Sequence, residues 1–200
     1  MSGLFITFEG PEGAGKSTQA ELLGAALAAR SPVVSREPGG TPLGERIRDL
    51  LLHSGTAISP EAEMLLFMAA RAEHVSRVIA PALAAGRIVI VDRYQDATQA
   101  YQGGARGVAT WWPESFPCPD RTFLLDLPAE VGLERLRRRG RGADRLESEG
   151  VAFHRAVAGA YRELAAAEPG RWVRLDATRP PEEVHAAVMA SLTELLAPVP

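Results

Sequence analysis

Apolar runs and amphipathic stretches alternate along the whole chain. Leu4–Phe8 is a short β-prone run that ends in Glu9-Gly10, and Lys16–Arg30 follows with Ala20, Leu23, Ala26 and Leu27 at helical spacing. Val33–Ser35 predicts a second strand, closed by the turn-forming Pro38-Gly39-Gly40. Leu43–His53 is amphipathic, and Glu61–Ala85 predicts a long helix that starts after Ser59-Pro60 and kinks at Pro81. Ile88–Val91 is a continuous β-branched run, the pattern of a strand buried on both faces. Thr122–Leu127 and Trp172–Leu175 predict the last two strands, and helices are expected over Ala129–Arg139, Gly150–Ala167 and Pro181–Leu196. Gly103–Pro119 reads as a loop or short irregular helix. Five strands separated by helices imply an α/β fold, a five-stranded parallel sheet flanked by helices, in a single domain over 1–200.

Charge and composition narrow the function. The 200 residues carry 22 basic and 25 acidic side chains, a net charge of −3, which removes the broad cationic field of a general nucleic-acid binder. No apolar run is long enough for a transmembrane helix, so no membrane partner is expected. The segment MSGLFITFEG lacks a basic leader and already reads as a strand, and the one cysteine, Cys118, has no internal partner for a disulfide. A reducing, cytoplasmic location is the expectation. One lysine stands among 21 arginines, and that lysine is Lys16.

Lys16 lies in Gly10-Pro11-Glu12-Gly13-Ala14-Gly15-Lys16-Ser17, which fits GxxxxGK[ST] between a predicted strand and a predicted helix. Such a loop wraps so that backbone N–H groups point at phosphate oxygens, with the helix dipole behind them. Ser17 supplies a hydroxyl for Mg²⁺, and Lys16 a compact point charge for the β- and γ-phosphates. The motif implies ATP or another nucleoside triphosphate with Mg²⁺, but not the reaction.

Three reaction classes use this loop. A guanine-binding switch reads its base with an NKxD-type segment, and no lysine exists outside the loop. A motor ATPase places Glu after the Asp that ends its hydrophobic strand, whereas Arg93 follows Asp92 here, and Asp92 remains a candidate metal residue. A small-molecule kinase must bring two anions together, and two unit charges roughly 4 Å apart repel by about 4 kcal/mol at an effective dielectric near 20. Converging cations offset that repulsion, and Arg36, Arg71, Arg93, Arg106 and the Arg137–Arg145 cluster are candidates. Arg36 and Arg93 each follow a predicted strand, at the edge where open α/β sheets bind ligands.

Several segments together resemble the thymidylate kinase family. They are Phe8–Thr18, Arg36-Glu37-Pro38-Gly39-Gly40-Thr41, Leu66–Arg71, Asp92-Arg93-Tyr94, Thr98–Gly104, Asp144-Arg145-Leu146-Glu147 and Leu175-Asp176-Ala177-Thr178. The resemblance implies a P-loop nucleoside monophosphate kinase that transfers the ATP γ-phosphoryl group to dTMP, giving dTDP and ADP, with Mg²⁺ and as a homodimer. It implies that Gly10–Thr18 hold ATP, that Phe67 stacks on thymine, and that Arg71 and Gln102 pair with the base edge. Arg36 and Arg93 would hold the monophosphate with Thr98 nearby, and Tyr101 would pack against the sugar. Glu12 would reach the dTMP 3′-hydroxyl or the metal. Position 13 is glycine rather than arginine, which resembles the form whose mobile lid, about 137–150, supplies the catalytic cation, with Arg141 and Arg145 as candidates. Ala156 and Ala158 stand where that form often carries further arginines. Another nucleoside monophosphate kinase, acting on UMP or CMP, and a nucleotide-sensing module without turnover are the alternatives.

Overall fold

The five expected strands form one all-parallel sheet in the order β2-β3-β1-β4-β5. They are β1 (Leu4–Glu9), β2 (Val33–Arg36), β3 (Ile88–Asp92), β4 (Arg121–Asp126) and β5 (Trp172–Asp176). The computed structural model describes residues 3–140 and 142–197, so Arg141 lies outside it. The helices are α1 (Lys16–Ala26), α2 (Pro42–His53), α3 (Pro60–His74), α4 (Ala80–Ala84), α5 (Gln95–Thr98), α6 (Ala129–Arg138), α7 (Val151–Ala167), α8 (Pro181–Ser191) and α9 (Thr193–Leu196).

Central β1 is apolar on both faces because both are covered. Phe8 and Ile6 pack with Leu23 of α1 and Val188 of α8, whereas Phe5 joins Val89, Ile79 and Tyr94. A third cluster, around Leu124, Val157 and Tyr161, seats α7 and extends to Leu51 of α2. Each strand ends on a charged residue, Glu9, Arg36, Asp92, Asp126 and Asp176, so one edge of the sheet collects the charge. Apolar side chains stay between the layers, and the charged positions gather where the loops turn over.

The expected Glu61–Ala85 helix is broken into three pieces. A π-helical turn, Val75–Ile79, separates α3 from α4, just ahead of Pro81. Proline has no N–H and its ring crowds the carbonyl four residues back, so a wider turn relieves both problems without ending the helix. A second departure is α5, which continues as a π-helical segment over Gln99–Ala105 and runs into the stretch expected to be irregular. From Gly107 to Pro119 the chain forms neither helix nor strand.

Phe123 of β4 is fully buried and stacks on Phe8 with ring centroids 5.2 Å apart. Phe123→Ala should cost about 3–5 kcal/mol of unfolding free energy, read by urea denaturation. A loss below about 1 kcal/mol would show that the layer between sheet and α1 can collapse onto the gap.

Candidate active site

A cavity of about 820 Å³ opens above the carboxyl ends of β1, β2 and β3. The β1–α1 loop forms one wall, presenting Glu12, Gly13, Gly15, Lys16, Ser17 and Thr18. Gly10, Pro11 and Ala14 lie behind it: the Gly10 carbonyl accepts from Arg93 Nη1 at 3.2 Å, and Ala14 is buried. Lys16 Nζ donates to the Pro11 carbonyl at 2.8 Å. Ser17 Oγ donates to Asp92 Oδ2, and Asp92 Oδ1 is buried with no partner among the described residues.

Arg93 organises the centre. Its backbone is left-handed, with φ 67, a conformation costing an L-residue roughly 1–2 kcal/mol. Bonds on both sides hold it there: Arg93 N–H donates to the Phe8 carbonyl at 2.9 Å, and Tyr94 N–H donates to Glu9 Oε1 at 2.6 Å. This turn aims the guanidinium back at the phosphate loop, where Nη2 donates to Glu12 Oε1 at 2.6 Å. Tyr101 Oη donates to the same oxygen at 2.8 Å, and the Arg93 guanidinium lies over the Tyr101 ring. Burial works to raise the Glu12 pKa, but Arg93, Lys16 and the Tyr101 hydrogen bond outweigh it and hold the carboxyl at about 2. Burial works to lower the Arg93 pKa, and Glu12 opposes it strongly enough to keep the guanidinium charged. Beneath them, burial and then the nearby Asp96 charge push the Glu9 pKa up.

The other expected residues divide. Phe67, Thr98, Tyr101 and Gln102 also form part of the cavity wall, as does Arg36, paired with Glu45 at 3.0 Å. Arg71 is buried behind that wall, donating to Glu37 Oε2 at 2.7 Å, Thr98 Oγ1 at 3.0 Å and the Tyr94 carbonyl at 2.8 Å. Arg145 is not brought to the cavity: its Nε donates to the Leu51 carbonyl at 2.7 Å and its guanidinium pairs with buried Glu63. The physical reason is that a buried carboxylate needs a cation more than the open cavity does. Arg137 and Arg138 are exposed and paired with Glu134.

Two cavity cations escaped the sequence reading. Arg135, on the inner face of α6, reaches toward the Gly13 and Thr178 carbonyls at 3.4 and 3.5 Å and has no carboxylate partner among the described residues. Its position three residues after Gly132 on an amphipathic helix was the only available signal. Arg48 of α2 donates to the Pro38 carbonyl at 2.9 Å; burial, and then the Arg36 charge, lower its pKa. Arg139 also lines the cavity, paired with Glu147 at 2.8 Å.

The phosphate loop and α6 touch backbone to backbone. Gly13 has φ +70, and a Cβ there would stand 2.3 Å from the Gly132 carbonyl oxygen. Position 13 therefore has no room for an arginine, and α6 adds Arg135 to Arg93 among the cations that face the loop. Gly13→Arg should lower the melting temperature and weaken ATP binding by about tenfold or more. Unchanged values in thermal unfolding and calorimetry would show that α6 yields to the side chain.

Burial, then the Arg93 charge, push Lys16 down to about 8 against the pull of Glu12 and Asp92. Phosphate anions at the loop would raise it again, so binding favours the protonated form. ATP affinity should be full below about pH 8 and fall above it, with proton uptake on binding. Calorimetry in buffers of different ionisation enthalpy reads that uptake, and affinity unchanged across this window would refute it.

The comparisons with known proteins agree with one another. The family model described as thymidylate kinase matches residues 8–188. A thymidylate kinase of Thermomicrobium roseum is 53% identical over 201 residues, covering 96% of this chain and 95% of that protein. One from Pseudomonas savastanoi pv. phaseolicola is 50% identical over 206 residues, covering 98% of each. The crystal structure of the Ehrlichia chaffeensis thymidylate kinase superposes with a TM-score of 0.73 at 30% identity, over 96% of this chain and 99% of that one. A phosphate loop at the head of a 2-3-1-4-5 sheet, an arginine-rich cavity beside it, and relatives matched from end to end place this chain in the thymidylate kinase family.

Proposed function

We propose that the protein transfers the γ-phosphoryl group of ATP to dTMP, giving dTDP and ADP. One observation carries this reading: a single cavity is lined both by the phosphate loop and by Phe67, Thr98 and Gln102, with Arg36, Arg48 and Arg93 in the same lining. Three guanidiniums beside the loop suit a second, dianionic phosphate, and an aromatic face in the same cavity suits a base. The full-length likeness to thymidylate kinases supplies the acceptor's identity.

In this reading ATP lies along Gly10–Thr18, with Lys16 leaving the Pro11 carbonyl for the β- and γ-phosphates. The acceptor stacks its thymine on Phe67, turns its base edge to Gln102 with Arg71 supporting that wall from behind, and sets its phosphate against Arg36 and Arg93 with Thr98 nearby. Tyr101 packs against the sugar and leaves little space for a 2′-hydroxyl. Glu12, ionised and fixed by Arg93 and Tyr101, takes the 3′-hydroxyl as a hydrogen-bond donor. Transfer then needs positioning and charge neutralisation rather than a covalent intermediate. Arg135 and Arg139, rather than Arg145, are placed to follow the charge on the moving phosphoryl group.

Asp92 Oδ1, a buried oxygen beside the Ser17 hydroxyl with no partner among the described residues, fits Mg²⁺, which needs few protein oxygens when phosphates complete its shell. Ser17 and Asp92 would hold the ion, which would supply charge neutralisation to the β- and γ-phosphates, while Glu12, the other metal candidate, is already engaged by Arg93 and Tyr101. The segment 137–150 acts as the lid that excludes water. A homodimer and a cytoplasmic location complete the reading. Leu43 and Leu50 of α2 and Leu65 of α3 remain exposed as candidate dimer contacts, whereas Met68 and Val75 are core. Among the described residues no helix is long and apolar enough to cross a membrane.

A coupled assay of ADP formation with dTMP, dUMP, dGMP, UMP and AMP tests the proposal. The largest kcat/KM is expected with dTMP, and some activity with dUMP, since one methyl group is worth only about 1–3 kcal/mol. Phe67→Ala should raise KM for dTMP by about tenfold with kcat little changed, because stacking serves ground and transition states alike. No ADP with any acceptor would sink the kinase reading, and preference for UMP would sink the acceptor.

A further inference from the structure

Glu63 stands in the first turn of α3, fully buried, one helical turn before Phe67. Its Oε1 accepts from Gln102 Nε2 at 2.7 Å and from Arg106 Nε at 2.8 Å. Arg145 Nη2 stands against Oε2 as a charge contact rather than an aligned hydrogen bond. A carboxylate between two guanidiniums only accepts, so the atom that Gln102 turns toward it is the amide nitrogen. The amide is planar, and its carbonyl oxygen is left for the cavity that Gln102 lines. No protein group among the described residues donates a side-chain hydrogen bond to that oxygen.

We propose that Glu63 is a positioning residue that locks the Gln102 amide carbonyl toward the base and so selects 4-oxo over 4-amino pyrimidines. This rests on the monophosphate kinase reading above. A 4-oxo pyrimidine presents an acceptor at O4 beside a donor at N3–H. Cytosine presents the reverse, a donor amino group beside an accepting N3. The Gln102 oxygen, an acceptor, complements the N3–H of the first pattern and faces the N3 lone pair of the second. An unrestrained amide would turn over and donate to the cytosine N3, removing the mismatch. Glu63 forbids that turn, because it would set the Gln102 oxygen against a buried carboxylate.

Calorimetric titration of dTMP and dCMP tests this directly. The unmodified protein should bind dTMP about a hundredfold or more tightly than dCMP. Glu63→Gln, whose amide can donate as well as accept, should narrow that ratio by about tenfold. Arg106→Met removes a partner of the same carboxylate but leaves its acceptor in place, so it should lower the melting temperature and keep the ratio. A folded Glu63→Gln protein with an unchanged ratio overturns the proposal, as does dCMP binding comparable to dTMP in the unmodified protein. If Glu63→Gln does not fold, Glu63→Asp withdraws the carboxylate by one methylene and must narrow the ratio, and an unchanged ratio there is equally fatal. Titration reads binding without turnover, so an absence of ADP formation would strike the kinase reading separately.

Discussion

The Arg93 corner is the constraint from which the rest of the site follows. A left-handed arginine directly after a buried strand is unfavourable by itself. It persists because the Phe8 carbonyl and the Glu9 carboxyl take the N–H groups of Arg93 and Tyr94, so β1 dictates the exit of β3. The guanidinium then closes the circuit onto Glu12 and the Gly10 carbonyl, and approaches Tyr161 Oη at 3.4 Å. Two strands, the phosphate loop, α7 and, through Tyr101, the Gln99–Ala105 segment thereby share one rigid point. The ion pair is only partly shielded from water, yet its geometry comes from backbone bonds beneath it rather than from long side chains finding each other. That arrangement prepares the cavity for two anions before either arrives.

Much of the sheet was legible because parallel strands buried on both faces are continuous apolar runs, and all five were found to within a residue or so at each end. The phosphate loop was legible for the opposite reason, since its geometry demands particular small residues at particular places. The segment Gln95–Ala105 was not, because hydrophobic periodicity is blind to a helix whose buried face is polar. Gln95, Asp96, Thr98 and Gln102 are all buried there, with Asp96 answered by Arg171 at 2.7 Å. The pairing of Arg145 was hidden for a related reason. A run of arginines names the cations but not their creditors, and buried Glu63 lay more than eighty residues away in sequence. Pro81 correctly foretold a disturbance, but not that the helix would widen rather than bend.

Close backbone contact replaces side-chain chemistry at the junction of the phosphate loop with α6. The Gly13–Gly132 approach binds the phosphate loop directly to α6. Arg135 sits on that helix and Arg139 just past its end, paired with Glu147 across the turn. The cations nearest the nucleotide thus differ in freedom: one is held by the fold, the other can exchange a carboxylate for a phosphate.

The solitary lysine has a consequence for anyone handling the protein. Its amine is buried against the Pro11 carbonyl and loses its proton near pH 8, well below an ordinary lysine. Acylating and alkylating reagents that seek side-chain amines therefore find only the lysine at the centre of the phosphate loop. Crosslinking, dye labelling or amine immobilisation, harmless chemistry on most surfaces, here becomes a probe of whether that site is filled.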